Sequence, residues 1–153
     1  MMKLSCLCGQ VNIQINKKPD YINECNCTLC SKSGARWSYF HPSELDVEGA
    51  TQGYSSDDKA DPNAQIHFCK KCGATTHFVL TESAISRFGK NSLMGVNMWL
   101  ANEGDLAGIE FDAGITGGLV DGKRADQGHS GRFSTLGTFV THWKHSSQEG
   151  RTK

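Results

Sequence analysis

Seven cysteines fall along the chain as Cys6-x-Cys8, Cys25-x-Cys27-x-x-Cys30 and Cys69-x-x-Cys72. Thiolates grouped two, three and two are a ligand set for zinc, which takes cysteine sulfur in tetrahedral sites. Two doublets can close one four-thiolate site, and the triplet can hold a second ion with one place left for water or substrate. A saturated site is structural, whereas an open one can act as a Lewis acid or accept an incoming thiol. Spacing leaves open which clusters share an ion.

Two other uses of cysteine compete with zinc. An odd number of thiols does not pair completely into disulfides, and Met1-Met2-Lys3-Leu4-Ser5 leads into a cysteine motif without an apolar run of signal-peptide length. The expectation is a reduced protein of the cytoplasm. A thioredoxin-like role for Cys27-x-x-Cys30 or Cys69-x-x-Cys72 asks for a strand-to-helix junction in a βαβ unit, and the sequence suggests none at either pair.

The local geometry expected is of two kinds. In an extended segment residues i and i+2 project to one side, so Cys6 with Cys8, and Cys25 with Cys27, can each present two sulfurs to one ion. Cys-x-x-Cys instead wraps a tight knuckle, after which Gly73 can take a positive φ, with Phe68 and Phe78 as apolar cover. Cys30 returns to Cys25 and Cys27 after a two-residue turn.

These ligands must be held by a small β framework. The 153 residues suit one domain, with about 68 to 70% of the unfolded chain's surface buried on folding. Apolar residues make up 37%, a modest core to which metal cross-links add stability. Val11, Ile13 and Ile15 alternate with Asn12, Gln14 and Asn16, the period of a half-buried strand ended by Lys17-Lys18-Pro19-Asp20. Segments 37–41, 46–48, 51–55, 65–69, 75–80 and 93–100 also read as strands, separated by Pro42, Gly49, Asp57-Asp58, Asp61-Pro62, Gly73 and Gly89. The expected class is mainly β with little helix. One short helix is expected over 81–88, with Thr81 or Ser83 as cap and Gly89 as stop. The domain is expected to run over 1–143, with a glycine-rich loop at 114–137, a last strand or docked segment at 139–143 and a flexible polar tail at 144–153.

Charge excludes little but directs expectation. Lys plus Arg and Asp plus Glu are each 16, so no net field draws the chain to nucleic acid or anionic lipid, and no stretch has membrane-span length.

Ser5-Cys6-Leu7-Cys8-Gly9-Gln10-Val11, Cys25-Asn26-Cys27-Thr28-Leu29-Cys30 followed by Ser33-Gly34-Ala35, and Phe68-Cys69-Lys70-Lys71-Cys72-Gly73 resemble the signature of the glutathione-dependent formaldehyde-activating enzyme family, which includes centromere protein V. Gly95-Val96-Asn97 and Phe111-Asp112 resemble that domain's distal strands. The resemblance implies a β-tent fold of small antiparallel sheets, a structural zinc on Cys6, Cys8, Cys69 and Cys72, and an open catalytic zinc on Cys25, Cys27 and Cys30. With two zinc ions per chain, the implied reaction joins glutathione, or a similar small thiol, to formaldehyde or a related aldehyde, formally the reverse of a carbon–sulfur lyase. A noncatalytic zinc-stabilised binding module and a thiol-based sensor are the alternatives.

Trp37-Ser38-Tyr39-Phe40 departs from the more aliphatic strand common in the family and is expected to alter any pocket beside the open site. His67 and His77 flank the second knuckle, where each is either near a metal or a hydrogen-bonded strand residue, and His41 precedes Pro42. Arg36 and Lys32 offer charges that match a glutathione carboxylate, or are plain solvated surface. Asn97 either lines the pocket or occupies the outer face of its strand. His129, His142 and His145 fall in the distal region.

Overall fold

The computed structural model of the chain describes residues 1–57 and 59–112. The segments 114–137, 139–143 and 144–153, with His129, His142 and His145, lie outside the described residues.

Ten strands form two sheets among the described residues, with two short α-helices. β1 (Met2–Ser5), β2 (Asn12–Ile15) and β5 (Leu45–Glu48) make a three-stranded antiparallel sheet in the order β1-β2-β5. The remaining strands are β3 (Tyr21–Asn23), β4 (Trp37–Phe40), β6 (Thr51–Ser55), β7 (Ala64–Cys69), β8 (Thr75–Leu80), β9 (Met94–Asn97) and β10 (Glu110–Asp112). They form one seven-stranded sheet in the order β10-β3-β4-β9-β8-β7-β6, antiparallel except for the β10–β3 pair. The expected mainly β class is the observed one. No described helix is long and apolar enough to cross a membrane.

Period-two alternation gives the larger sheet two unlike faces. Phe40, Met94 and Val96 cluster with Leu4, Ile13, Ile15 and Leu45 of the smaller sheet, forming the main core. On the opposite face Trp37, Ile66 and Phe78 gather with Cys27, Cys30 and Ala35 into a second cluster. A third, of Cys6, Val11 and Cys69, sits where the two sheets meet.

Several elements depart from the sequence reading. β1, β3 and β10 hold only three or four residues, too short for a visible period. The expected strand over 93–100 stops at Asn97 because the Asn97 side chain accepts from Trp99 N and caps a 3-10 turn over Met98–Leu100. Helix α1 (Thr28–Ser33) was not anticipated, since its sequence lacks an apolar stripe. Cys27 is its N-cap and Gly34 its left-handed C-cap, so Cys27-x-x-Cys30 does stand at the start of a helix. The flanking strands β3 and β4 are antiparallel, which separates the arrangement from a βαβ unit. Helix α2 (Glu82–Phe88) starts on the expected Thr81 cap, whose Oγ1 accepts from Ala84 N at 3.2 Å, and stops at Gly89.

Candidate metal centres

The outer doublets converge because each terminates one strand and precedes the next. Cys6 follows β1, and Cys69 ends β7. Matched turns reverse the chain, with Gly9 N donating to Cys6 O and Gly73 N donating to Cys69 O, both at 2.9 Å. Gly73 takes the expected positive φ of 73°, a conformation costly for residues with a side chain. The Cys6–Cys8 segment is itself a turn rather than the extended stretch expected, because the chain must reverse between β1 and β2.

The four sulfurs of Cys6, Cys8, Cys69 and Cys72 lie within 4.8 Å of one another. Cys6 Sγ is 3.6 Å from Cys8 Sγ, and Cys8 Sγ is 3.7 Å from Cys69 Sγ. Sulfurs at the corners of a tetrahedron with zinc–sulfur bonds of about 2.3 Å stand about 3.8 Å apart, whereas a disulfide needs about 2.05 Å. The donor set and its spacing therefore fit zinc. All seven cysteines are free.

Protons are shared unequally in this group. Burial pushes the Cys6 thiol up, but the Val11 N–H, at 3.2 Å from its sulfur, and the neighbouring Cys8 and Cys69 outweigh it and bring Cys6 down to about 6. Cys8 receives a lowering hydrogen bond from the Gln10 backbone, yet burial and the three adjacent cysteines carry it up to about 11. The Ala74 backbone hydrogen bond leads the lowering of Cys72. Such a cluster favours thiolate at one edge and gains from a cation that neutralises the rest.

The sulfurs of Cys25, Cys27 and Cys30 also lie within 4.8 Å of one another. Cys27 Sγ accepts from Cys30 N at 3.4 Å as the cap of α1, and Cys30 Sγ accepts from the Trp37 indole Nε1 at 3.2 Å. Hydrogen bonding with Cys25 and then Cys27, together with burial, pushes the Cys30 thiol far up, against the opposing Trp37 N–H. Three sulfurs this close resist becoming three thiolates unless a cation joins them, so this donor set fits zinc as well. Cys27 and Cys30 are buried, while Cys25 is half-buried.

The triplet opens on a cavity of about 260 Å³. Cys25 and Cys30 line one part of it, with Trp37, Tyr39, Phe78 and Leu93 among the other walls. The Trp37 and Phe78 rings meet edge to face with centroids 5.0 Å apart. Phe78 packs against β9 because Gly95 has no side chain, and a Cβ there would overlap Cε1 and Cδ1 of the Phe78 ring. Burial first, and then the charges of Cys25, Tyr21 and Cys30, raise the Tyr39 hydroxyl above the usual phenol range despite a 2.6 Å hydrogen bond from Asn23 Nδ2. Tyr39 therefore stays protonated at neutral pH, with its oxygen already accepting and its own hydrogen left to donate. The expectation that Trp37-Ser38-Tyr39-Phe40 shapes the pocket holds for Trp37 and Tyr39, which alternate onto one face, but the Tyr39 hydroxyl was not singled out.

Other sequence candidates serve as framework. No histidine joins either cysteine group among the described residues. His67 and His77 stack with centroids 4.6 Å apart, and their Nδ1 atoms pair with Thr51 Oγ1 and Thr76 Oγ1. His41 caps the 3-10 turn over Pro42–Glu44. Arg36 is held by Glu24 at 2.9 Å and lies 3.6 Å from the centroid of Trp99, which satisfies its charge within the protein. Lys32 is exposed in the last turn of α1. Asn97 neither lines the pocket nor faces outward: buried at 3% exposure, it accepts from Arg36 N and Trp99 N and donates to Thr75 O.

The sequence profile of a family described as glutathione-dependent formaldehyde-activating enzyme matches residues 1–94. A crystal structure of a Rhodobacter sphaeroides protein is similar, with 28% identity, a TM-score of 0.52, and coverage of 72% of this chain and all of that one. No curated protein matches.

Proposed function

The chain belongs to the glutathione-dependent formaldehyde-activating enzyme family, and we propose that it joins a glutathione-like thiol to an aldehyde, or cleaves the adduct, at Cys25, Cys27 and Cys30. The observation that carries this reading is the contrast between the two sulfur groups. Four sulfurs lie within 4.8 Å of one another as a closed set, whereas the triplet has only three, and two of its members, Cys25 and Cys30, line a cavity.

In this reading Cys6, Cys8, Cys69 and Cys72 hold a structural zinc and Cys25, Cys27 and Cys30 hold a catalytic one, two per chain. Zinc at the triplet would supply Lewis acidity and favour the thiolate form of a substrate thiol near neutral pH. The chain's own residues do the positioning. Trp37 fixes the Cys30 sulfur through its indole N–H, and α1 fixes Cys27 through its cap. Tyr39 offers a hydrogen bond to an oxygen in the cavity, the place where an aldehyde carbonyl gains negative charge as sulfur attacks its carbon. The step forms one sulfur–carbon bond and breaks the carbonyl π bond. The thiol proton ends on the new hydroxyl, and nothing is oxidised or reduced. A reducing compartment such as the cytoplasm suits seven free thiols.

The test pairs metal content with turnover for the zinc-loaded chain and its Cys27→Ser variant. Saturable consumption of glutathione and aldehyde, lost in the variant together with one of two zinc ions, is the expected result. Full turnover in the variant, or aldehyde binding without turnover in the parent, overturns the reading in favour of a binding module.

A further inference from the structure

The walls of the cavity are poorly matched to formaldehyde, which has no substituent to fill them. The register of the larger sheet puts them in rows. Tyr39 stands opposite Gly95, Gly95 opposite Phe78, and Phe78 opposite Ile66. Two residues along, away from the Trp37 end, come Leu93, Leu80 and Ala64, the last two paired directly. A strand rises about 3.3 Å per residue, so the rows from Trp37 to Leu80 and Leu93 span on the order of 13 Å. The segment 61–63 closes this far end through Arg87, which pairs with Asp61 and with Asn63 Oδ1, and through Thr81 Oγ1, which donates to Pro62 O at 2.7 Å.

Chemistry along that length is one-sided. The sulfurs of Cys25 and Cys30 lie at the Trp37 end, and apart from these cysteines no described wall residue is of an ionic type. Polar side chains are confined to Tyr39, Asn63 and Ser92, with Asn63 engaged by Arg87. The volume of about 260 Å³ exceeds the roughly 150 Å³ of an apolar cavity that takes up benzene. A charged tripeptide thiol gains nothing from such walls and loses its hydration on entering.

We propose that the cavity selects the aldehyde by a hydrophobic, preferably aromatic, substituent: the carbonyl lies beside Tyr39 and the cysteine triplet, the ring lies over Phe78 toward Leu80 and Leu93, and the polar thiol approaches from the Cys25 side. This rests on the thiol–aldehyde reading and adds the substrate class. The reaction remains thiol addition to the carbonyl carbon, with the proton passing to oxygen. Aromatic edge-to-face contacts from Trp37 and Phe78 favour a ring over an alkyl chain of equal size.

The experiment compares 3-phenylpropanal with formaldehyde at fixed glutathione, using the zinc-loaded chain. The expected kcat/KM ratio favours 3-phenylpropanal by about 10- to 100-fold. Leu93→Trp, which fills the far end, should cut that ratio about tenfold, and Ala64→Leu serves as a second filling variant if the first folds poorly. A ratio at or below one, or one that neither folded variant moves, overturns the substituent proposal while leaving thiol addition intact. Turnover with neither aldehyde removes the reaction, and the cavity is then read by nuclear magnetic resonance titration with 3-phenylpropan-1-ol. Shifts at the Trp37 indole that a filling variant abolishes support an apolar ligand there, and their absence overturns it.

Discussion

The indole Nε1 of Trp37 donates to the Sγ of Cys30 across 3.2 Å, tying the first residue of β4 to a buried sulfur of the three-cysteine group. A hydrogen bond to a sulfur ligand draws off charge and fixes its direction, so it acts on a bound metal from the outer shell. The same ring meets Phe78, which makes Trp37 the joint between the three-cysteine group and the cavity.

Trp37→Phe keeps an aromatic ring but removes the donor. Loss of an outer-shell partner lowers metal affinity by roughly 10- to 100-fold. Chelator competition on zinc-loaded protein should therefore show one ion released at about tenfold lower chelator while the other is unmoved. Identical release curves for parent and variant would remove the indole from this role.

Asn97 joins three segments that hold the two sulfur groups in register: Arg36 after α1, Thr75 after the second knuckle, and the turn at Trp99. Thr75 Oγ1 adds a 2.8 Å bond to Ser33 O at the end of α1. Asn97→Leu preserves approximate bulk but strands two N–H donors and one carbonyl, at a cost of about 1 to 3 kcal/mol for each group left unsatisfied. Urea unfolding should give a total loss of about 3 kcal/mol or more with an unchanged slope. A loss below about 1 kcal/mol would mean that water replaces the amide.

The cysteine grouping was legible because ligand spacing is a local property, whereas spacing left open which clusters meet, and the joining of Cys6 and Cys8 with Cys69 and Cys72 was what the family resemblance implied. The alternating strand 12–15 was legible for the same reason, as were 75–80 from its β-branched and aromatic residues and the helix between Thr81 and Gly89 from its end signals. Met2–Ser5 and Tyr21–Asn23 were not, since they complete at most two periods and owe their form to neighbours across the sheet. α1 was hidden because its apolar contact is a cysteine, Cys30, rather than a leucine stripe. Asn97 was misread because its three partners lie between 2 and 61 residues away along the chain, and nothing local reports them.

His77 makes the fold sensitive to acid independently of the cysteines. Burial, with a smaller contribution from stacked His67, pushes it down to about 4. An unfolded imidazole titrates near about 6.5. Above that pH both states are neutral. Below it the unfolded chain binds a proton that the folded chain refuses, so stability falls as pH drops from about 6.5 and levels off near about 4. The full loss is on the order of 3 kcal/mol. His77→Gln should lose less stability than the parent between pH 7 and pH 5 in parallel urea titrations of zinc-loaded protein. Parallel losses would assign the acid sensitivity to other groups, the thiolates and the half-buried His67, whose pKa burial also lowers.

Gly95 tests whether the cavity owes its shape to a missing side chain. Its added Cβ would overlap Cε1 and Cδ1 of Phe78, an aromatic ring already hemmed in by Trp37 and Tyr39. The ring cannot move into β9, so Gly95→Ala must tilt it into the cavity or push the strands apart. Overpacking of this kind costs about 1 to 3 kcal/mol. The two sulfur groups are set by other contacts, Asn97 with Thr75 and Trp37 with Cys30, so zinc content should stay at the parental value. The expected variant is thus folded and fully metallated, destabilised by about 1 to 3 kcal/mol in urea unfolding, with weaker binding of 3-phenylpropan-1-ol. Parental stability together with parental ligand binding would show that Phe78 has room to give, and that the glycine does not shape the pocket.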